Sequence, residues 1–308
     1  MTVSSVVQPV RSSRNSRREA IVAYLFLSPW LFGFVVFMAG PMIASLYLSF
    51  TQYKVISPPR WIGLGNYTRM FTDDLFFKSL EVSTRYTLFS VPIGIVAALG
   101  IALLLQQPIR WRGIFRLIFY LPSIISGVAV ATVFAWIFNF RFGVLNYLLS
   151  LIGVVGPNWL GHPRWALWAF VLMSLWGVGA NVVIFLAALQ GVPKALYEAA
   201  DLDGASGSQQ FWNITLPLIS PATLFVAITG IIYSFQTFTQ AFILTQGGPA
   251  NATLFYLYYL YKNAFTWFEM GYASALAWVL FLIIITCTLV LLRTSNQWVY
   301  YEGSERGA

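Results

Sequence analysis

The sequence contains little charge for its length. Only 9% of its 308 residues are Asp, Glu, Lys or Arg, whereas 58% are hydrophobic, and a soluble domain is about a quarter charged. The mean hydropathy is +0.73. This composition excludes an ordinary water-soluble globular protein and is typical of a polytopic membrane protein built from several apolar helices.

Cysteine and histidine occur only once each, as Cys287 and His162. A single cysteine forms no internal disulfide and indicates neither a redox role nor a cysteine-based metal site. The histidine stands without a neighbouring set of ligand residues. The sequence also lacks a GxxxxGK(S/T) phosphate-binding loop and a Ser/His/Asp set. We therefore expect that the chain binds no metal and no cofactor and is not an enzyme.

Six apolar runs are long enough to cross a bilayer, which requires about 20 residues per helix. Two further runs, 142–152 and 254–265, are too short to span and predict helices at the membrane interface. The stretch 122–127 would allow close packing or a bend in the third run, and Gly40-Pro41 predicts a kink or a helix end in the first. The predicted spans are 21–42, with a possible extension to 50, 86–105, 117–138, 165–189, 219–244 and 272–292.

The positions of the positive charges predict the orientation in the membrane. The net charge is +8, and the arginines lie beside the apolar runs, which suits anionic lipid and the positive-inside rule better than nucleic acid. The side that holds both ends of a six-span chain also holds most of the basic segments, namely the tail, 1–19, the loop 106–116 and Arg293. We predict that both termini are cytoplasmic, that the N-terminal tail is disordered, and that the chain contacts membrane lipid but no nucleic acid.

The loop 193–217 holds four charged residues within ten positions and falls on the same predicted side. Placing one charge at the bilayer centre costs roughly 2.5–3.5 kcal/mol, so this charged loop belongs in water. Its residues predict a helix with Pro193 in the first position and a left-handed turn at Gly204. A capping box of Ser206 and Gln209 then predicts a second helix, which Pro217 limits.

The first half of this loop has features of a docking surface. Ala199 and Ala200 are small, so the surface of another protein could approach the backbone closely. Glu198 beside them could accept a charge-assisted hydrogen bond from an arginine or lysine of a partner. On the residues alone, an ordinary cytoplasmic loop helix is the simpler interpretation.

The spacing within the loop resembles the EAA motif of the permeases of binding-protein-dependent ABC importers. Glu198-Ala199-Ala200 is followed after three residues by Gly204, and after nine more by Ile214-x-Leu216-Pro217. Every fixed position of the motif is present at its expected spacing. In that family the motif forms a coupling helix that sits in a cleft of the ATP-hydrolysing subunit. The resemblance therefore implies a coupling contact made by Glu198, Ala199, Ala200, Asp203 and Gly204.

Two shorter elements extend the resemblance to sugar-type permeases. Residues 63–67 read GLGNY after the first span, and residues 247–249 read GGP after the fifth. The similarity is closest over 81–293. The predicted division is an N-terminal part, 1–80, with tail, first span and extracytoplasmic loop, a type-1 transmembrane domain, 81–293, with five spans and the coupling loop, and a cytoplasmic tail, 294–308.

The resemblance implies the all-α fold of type I importer permeases, with six transmembrane helices and a cytoplasmic coupling helix. It implies an upstream-type permease of a carbohydrate importer, in the class that includes maltose and glycerol-phosphate systems, in the plasma (inner) membrane of a bacterium or archaeon. The implied partners are a second homologous permease, two ATP-binding subunits and an extracytoplasmic solute-binding protein.

The polar side chains within the spans are hydroxyls, amides and aromatics. Tyr233, Ser234, Thr237 and Gln240 follow helical spacing and share one face of the fifth span. Such groups suit a neutral polyol, and hydrogen bonding between helices explains each of them equally well. The resemblance to maltose-type permeases implies that the sugar is contacted by Trp176, Gly177, Ala180, Gly230, Tyr233, Ser234 and Thr237.

Two alternatives stay open. The first is a permease for another solute, such as glycerol-phosphate, an amino acid, a phosphate or a polyamine. A charged solute calls for opposite charges in the pore, and the predicted spans lack charges near their centres. The second is an ATP-independent channel or carrier, although carriers coupled to protons or sodium usually place acidic residues within their spans. Copurification with an ATPase would separate the second alternative from an importer.

Overall fold

The computed structural model describes residues 15–108 and 110–300 of the chain. The predicted all-α architecture is confirmed, because every regular element in this part of the chain is helical apart from one pair of two-residue strands. In chain order the elements are α1 (Asn15–Phe34), α2 (Gly40–Ser49), β1 (Thr51–Gln52), β2 (Arg60–Trp61), α3 (Gly65–Met70), α4 (Asp74–Gln106), α5 (Arg112–Tyr120), α6 (Gly127–Ile137), α7 (Val144–Leu151), α8 (Pro163–Ser174), α9 (Gly179–Gln190), α10 (Lys194–Leu202), α11 (Gly207–Gln210), α12 (Leu216–Leu218), α13 (Ser220–Phe235), α14 (Thr239–Leu244), α15 (Tyr256–Tyr261) and α16 (Met270–Trp298). The predicted tails before residue 15 and after residue 300 lie outside the described residues.

Four segments are long and apolar enough to cross a membrane: α1–α2, α4, α13–α14 and α16. The pairs α5–α6 and α8–α9 qualify only as broken helices, bent by 100° and 51°. Six spans therefore fit the described chain when each bent pair counts as one. The third span bends within 122–127, where close packing or a bend was expected, and the fourth span, 165–189, is broken as well.

The break in the fourth span allows two backbones to approach closely. A Cβ atom on Gly179 would lie 2.1 Å from the carbonyl oxygen of Phe119, so only glycine permits α9 to begin against the end of α5. Hydropathy carries no signal for such a contact, because glycine at this position leaves the apolar run uninterrupted.

The first span is continuous to Ser49, so its possible extension is confirmed. A π-helical turn, Val35–Ala39, joins α1 to α2. Gly40-Pro41 does not end the helix, because Pro41 lies in the first turn of α2, where its missing N–H is not needed. The most apolar window of this span has none of its residues buried against the rest of the described chain.

The GLGNY segment anchors the chain that leaves the first span. Gly63 adopts a left-handed φ of 57° before α3 begins. Asn66 is buried and donates hydrogen bonds of 2.8 Å to the backbone oxygens of Ser49 and Thr51. The hydroxyl of Tyr67 lies 2.8 Å from that of Ser49. The segment thereby ties α3 to the end of the first span and to the short β1–β2 pair.

The second span begins well before its predicted start at residue 86, because α4 begins at Asp74. Charged residues near the predicted boundary lie along this helix and interact with one another. Glu81 forms ion pairs with Lys78, 3.1 Å, and Arg85, 2.8 Å, at the helical spacings of three and four residues.

The short aromatic run 254–265, predicted to lie at the membrane interface, packs largely inside the protein. Phe255 and Tyr256 are fully buried. The backbone N–H of Tyr256 donates to Ser83 Oγ, 2.8 Å, and its hydroxyl donates to the backbone oxygen of Leu276, 2.9 Å. Both polar groups are satisfied inside the protein, which is why this helix packs between α4 and α16.

Candidate functional site

A cavity of about 350 Å³ lies beside interruptions in three spans. The corner between α5 and α6 forms one wall, and the 3₁₀ turn Leu175–Gly177 between α8 and α9 forms a second. The gap between α13 and α14 and the middle of α4 complete it. Interrupted helices leave backbone groups free, and at membrane depth such groups are tolerated only inside the protein or beside a water-filled cavity.

Six of the seven residues predicted to contact the solute line this cavity. They come from two spans that are far apart in the sequence. Ala180 is not among the lining residues and is exposed elsewhere on α9, whereas its neighbour Asn181 does line the cavity. The predicted residues that line the cavity are Trp176, Gly177, Gly230, Tyr233, Ser234 and Thr237.

The two predicted aromatic residues are accessible for stacking. Trp176 is 46% exposed and Tyr233 is 73% exposed. The indole ring of Trp176 packs edge-on against Phe134, with ring centroids 5.9 Å apart. An aromatic face held in this way offers an apolar surface to the C–H groups of a sugar ring.

Ser234 and Gly230 are engaged in packing between α13 and α4. The hydroxyl of Ser234 lies 2.8 Å from Thr87 Oγ1 and donates to the backbone oxygen of Ile231 at 3.0 Å. A Cβ atom on Gly230 would lie 3.2 Å from a methyl group of Val91. Both residues border the cavity and also hold two spans together, so a solute would compete with these contacts.

Several polar lining residues were not identified as candidate contacts from the sequence. Tyr86 and Ser90 face the cavity from α4, and Gly94 follows them at the same spacing of four residues. That repeat along one helix face is the signal that could have identified them. Asn181 adds a carboxamide group, and Gln240, which belongs to the polar face predicted on the fifth span, adds a second. The residues lining this cavity include no Asp, Glu, Lys, Arg or His, so its polarity is neutral.

The predicted coupling helix exists as α10, and most of its surface is exposed. Glu198 and Ala199 are exposed, Ala200 is half-buried, and Leu202 is 90% exposed at the end of the helix. The left-handed turn is confirmed, since Gly204 has a φ of 73°. A side chain at that φ would be strained, so glycine is required there.

The other side of α10 is fixed to the base of the fifth span. The hydroxyl of Tyr197 lies 2.8 Å from Thr215 Oγ1. Gln210 Nε2 donates to Asp201 Oδ1 at 2.5 Å. Asp203 follows α10 directly and is exposed beside the glycine turn. The exposed side of α10 is therefore held in a defined position relative to the span that lines the cavity.

Two details of this loop differ from the prediction. Pro193 is the N-cap of α10 and precedes its first helical residue, with an extended ψ of 128°. Pro217 does not limit the second helix, because a π-helical turn, Phe211–Thr215, precedes it and a new helical turn starts at Leu216. Proline is tolerated in the first turn of a helix, because the N–H that it lacks would have no partner within the helix there. The predicted capping box of Ser206 with Gln209 is confirmed.

At the N-terminal end of α4, the carboxylate of Asp73 joins α4 to α15 and α16. Asp73 Oδ1 caps α4 by accepting from the N–H groups of Leu75 and Phe76. Its Oδ2 accepts 2.5 Å hydrogen bonds from the hydroxyls of Tyr259 and Tyr272. Burial raises the pKa of Asp73, but these hydrogen bonds outweigh burial and hold the pKa below its ordinary value.

Comparison with known proteins gives consistent matches over most of the chain. A family model described as "binding-protein-dependent transport system inner membrane component" matches residues 90–299. The chain is 44% identical over 301 residues to the probable ABC transporter permease protein YesP of Bacillus subtilis, covering 96% of this chain and 97% of that protein. It is 33% identical to the arabinooligosaccharides transport system permease protein AraP of the same species, over 89% and 88% of the two chains.

The fold also matches a solved structure. A chain in the crystal structure of a bacterial alginate ABC transporter, in complex with an alginate pentasaccharide-bound periplasmic protein, superposes with a TM-score of 0.80. The match covers 92% of this chain and 96% of that chain, at 24% identity. The family resemblance and the fold class predicted from the sequence are both confirmed by these matches.

Proposed function

We propose that the chain is the permease subunit of an ATP-driven importer for a neutral saccharide. The premise is that the chain belongs to the family of inner-membrane components of binding-protein-dependent transport systems. The observation that carries the proposal is the neutral cavity beside the interrupted spans, which the exposed rings of Trp176 and Tyr233 line. A solute-binding protein would deliver the sugar, and separate subunits would hydrolyse ATP.

The chemistry of the cavity favours a di- or oligosaccharide, or a related polyol. Hydroxyl and carboxamide groups can donate to and accept from sugar hydroxyls, and the rings of Trp176 and Tyr233 can stack on the sugar. A charged solute in this cavity would leave its charge unpaired, which is costly in a low-dielectric environment. The curated relative named for arabinooligosaccharides supports a saccharide.

The exposed side of α10 is the proposed contact with the ATPase. Glu198 offers a carboxylate, Ala199 and Ala200 permit close approach, and Leu202 offers an apolar side chain to a pocket of the partner. Because α10 connects α9 with the base of α13, a displacement of α10 by the ATPase would reach both walls of the cavity.

A second permease subunit is the proposed partner within the membrane. The most apolar window of the first span has no residue buried against the described part of the chain, so its surface is available to another membrane protein as well as to lipid. The cavity is also open on one side. A second, homologous permease would complete the pathway. Separately, the positive-inside rule would place both termini of the chain in the cytoplasm.

The test is transport by the complete complex. The chain is copurified with its ATPase, its partner permease and its solute-binding protein, reconstituted in vesicles, and assayed for ATP-dependent uptake of a neutral disaccharide and a uronic-acid disaccharide. We expect uptake of the neutral sugar only. Uptake of the acidic sugar alone would contradict the assignment of the solute, and uptake without ATP or an ATPase would contradict the importer.

Variants of two threonines on the same span connect this transport to the cavity. Thr237→Val removes a hydroxyl from the cavity lining, whereas Thr229→Val removes a hydroxyl from a residue that does not line the cavity. We expect Thr237→Val to raise the half-saturation concentration up to about tenfold, the equivalent of one hydrogen bond. The Thr229→Val variant is the matched control and should transport normally.

A further inference from the structure

A group of basic residues lies where α4 and α9 end and α5 begins. Gln106 Nε2 donates to the backbone oxygen of Leu189 at 3.4 Å, which holds the last turns of α4 and α9 together. Arg112 Nε donates to the backbone oxygen of Leu105 at 2.5 Å, which fixes the start of α5 to the same place. The transition from apolar helices to polar loop therefore occurs here for three elements at once.

The arginines of this group carry charge that the described chain does not neutralise. Arg110 lies against the ring of Trp111, 5.9 Å from its centroid. Arg112 is occupied by the carboxyl end of α4, whose backbone oxygens attract a cation. Arg116 has a buried Nε without a hydrogen-bond partner among the described residues. The ion pairs within the described residues are Arg69–Glu269, Lys78–Glu81 and Arg85–Glu81, so none of them involves this group.

An apolar groove runs from Arg116 along one side of α9. The groove has a volume of about 230 Å³ and is lined by Arg116, Gly179, Val182, Val183, Leu186, Ala187 and Gln190. These α9 residues recur at intervals of three and four, so they form one continuous face of the helix. The groove therefore combines an apolar wall with an unpaired guanidinium, and Gln190 adds a carboxamide at the end of α9.

Trp111 supports a location at the membrane surface. It is 65% exposed and adopts a left-handed φ of 69°, a conformation that bulky residues rarely take. The bend at Trp111 places an amphipathic ring beside Arg110 at the level where the helices end. Tryptophan is enriched at the boundary between the hydrocarbon core and the headgroups.

We infer that this basic group and the groove on α9 bind an anionic phospholipid. The phosphate would pair with Arg116 and Arg110, and an acyl chain would lie along Gly179–Gln190. A ligand of this site must match both the positive charge and the apolar wall. An anionic phospholipid does so, because it carries a negatively charged headgroup and acyl chains on one molecule. The site adjoins α10 along the chain, so a bound lipid would steady the end of α9 that carries the proposed coupling helix.

Native mass spectrometry of the full chain, copurified with its partner subunits, tests this inference. The probes are phosphatidylglycerol and phosphatidylcholine with identical acyl chains. Removal of one basic residue near a membrane surface corresponds to about fivefold in affinity. We expect Arg116→Gln to weaken phosphatidylglycerol binding about fivefold, the double variant with Arg110→Gln to weaken it further, and Arg116→Lys to restore most of it.

Arg141→Gln is the matched control, because Arg141 is an exposed arginine outside this groove. It should leave phosphatidylglycerol binding unchanged. Equal binding of the two lipids by the natural chain, or equal binding of phosphatidylglycerol by Arg116→Gln, would overturn the inference. Loss of a partner subunit from Arg116→Gln with unchanged lipid binding would also overturn it, since the arginines would then belong to a protein contact.

A second measurement uses the natural chain, so it does not depend on whether an arginine variant folds. A photoactivatable phosphatidylglycerol with a reactive acyl chain is added to the natural complex in vesicles, and the labelled peptides are identified. We expect labelling within Gly179–Gln190 that an excess of phosphatidylglycerol suppresses and an excess of phosphatidylcholine does not. Labelling of this segment that both lipids suppress equally, or no labelling of it, would contradict the inference.

Discussion

The role of Ser234 can be decided by a double-mutant cycle with Thr87. The two hydroxyls are 2.8 Å apart between α13 and α4, and Ser234 borders the cavity. Ser234→Ala, Thr87→Val and the double variant separate two roles, a hydrogen bond between helices and a contact with the solute. The cycle removes each hydroxyl singly and then both, so it isolates the energy of the pair.

The expected coupling energy is small because each hydroxyl keeps a second partner. Thr87 Oγ1 also lies 2.8 Å from the backbone oxygen of Ser83, and Ser234 Oγ lies 3.0 Å from that of Ile231. One hydroxyl donates within the pair, and the other donates to its own backbone oxygen. Neither single variant therefore leaves a buried hydroxyl unpaired. Hydrogen bonds between membrane helices average about 0.6 kcal/mol, and we expect a coupling energy of about 0.5–1 kcal/mol.

Two assays report the two roles. Unfolding in mixed detergent gives the free energy of unfolding for each variant, and vesicle uptake gives the half-saturation concentration. If the hydroxyl pair is structural, the coupling energy is measurable and Ser234→Ala transports with unchanged half-saturation. A coupling energy near zero, together with a half-saturation raised about tenfold in Ser234→Ala, would refute this reasoning and identify Ser234 as a direct solute contact.

Three further predictions concern other parts of the chain. Gly204→Val forces a β-branched residue into a left-handed turn, and Glu198→Lys reverses a charge on α10. We expect both variants to lower transport-coupled ATPase activity while the chain still inserts. Normal activity in assembled variants would contradict the coupling role. After the native cysteine is replaced, a cysteine at Ser206 should be shielded from an impermeant thiol reagent in intact cells and one at Asn251 should react, and the opposite pattern would contradict the predicted orientation. Asp73→Asn keeps an N-cap but loses the charge that two tyrosines bind, so we expect it to unfold about 1–2 kcal/mol more easily at neutral pH. Because the pKa of Asp73 is lowered in the folded protein, its contribution is complete above an unfolded pKa of about 4 and is lost as the pH falls through the lower folded value; a difference from Asp73→Asn that grows on acidification would contradict this sign.

Local signals made the polar loop predictable from the sequence. The left-handed turn at Gly204 and the capping box of Ser206 and Gln209 depend on a few neighbouring residues, and both are present. The same local reasoning failed at Pro217, because a preceding π-helical turn changes which N–H groups need partners. Proline alone does not indicate whether a helix ends or starts a new turn.

Features that depend on distant parts of the chain were not predictable. The break in the fourth span depends on contact between Gly179 and the backbone of Phe119. The burial of Tyr256 depends on partners at Ser83 and Leu276. Aromatic residues have similar hydropathy at a membrane interface and in a protein core, so composition could not distinguish these two places.

The lining of the cavity was predictable only in part, for the same reason. A regular helix would place Ala180 on a face with Trp176 and Gly177, but the 3₁₀ turn Leu175–Gly177 changes the rotation per residue just before α9. Asn181, and not Ala180, therefore lines the cavity. The contributions of α4 come from a separate span, on which Tyr86, Ser90 and Gly94 recur at intervals of four residues.

The helix interruptions link the cavity to the proposed coupling helix. α9 starts at the break beside Trp176, runs for 12 residues, and ends just before α10, so it spans about 18 Å at 1.5 Å per residue. On the other side of α10, the bond between Tyr197 and Thr215 holds it to the helical turns that lead into α13, which also lines the cavity. A rigid shift of α10 would therefore move both cavity walls together, whereas the uninterrupted α4 would stay in place. In the proposed importer, the breaks would act as the hinges of such a shift.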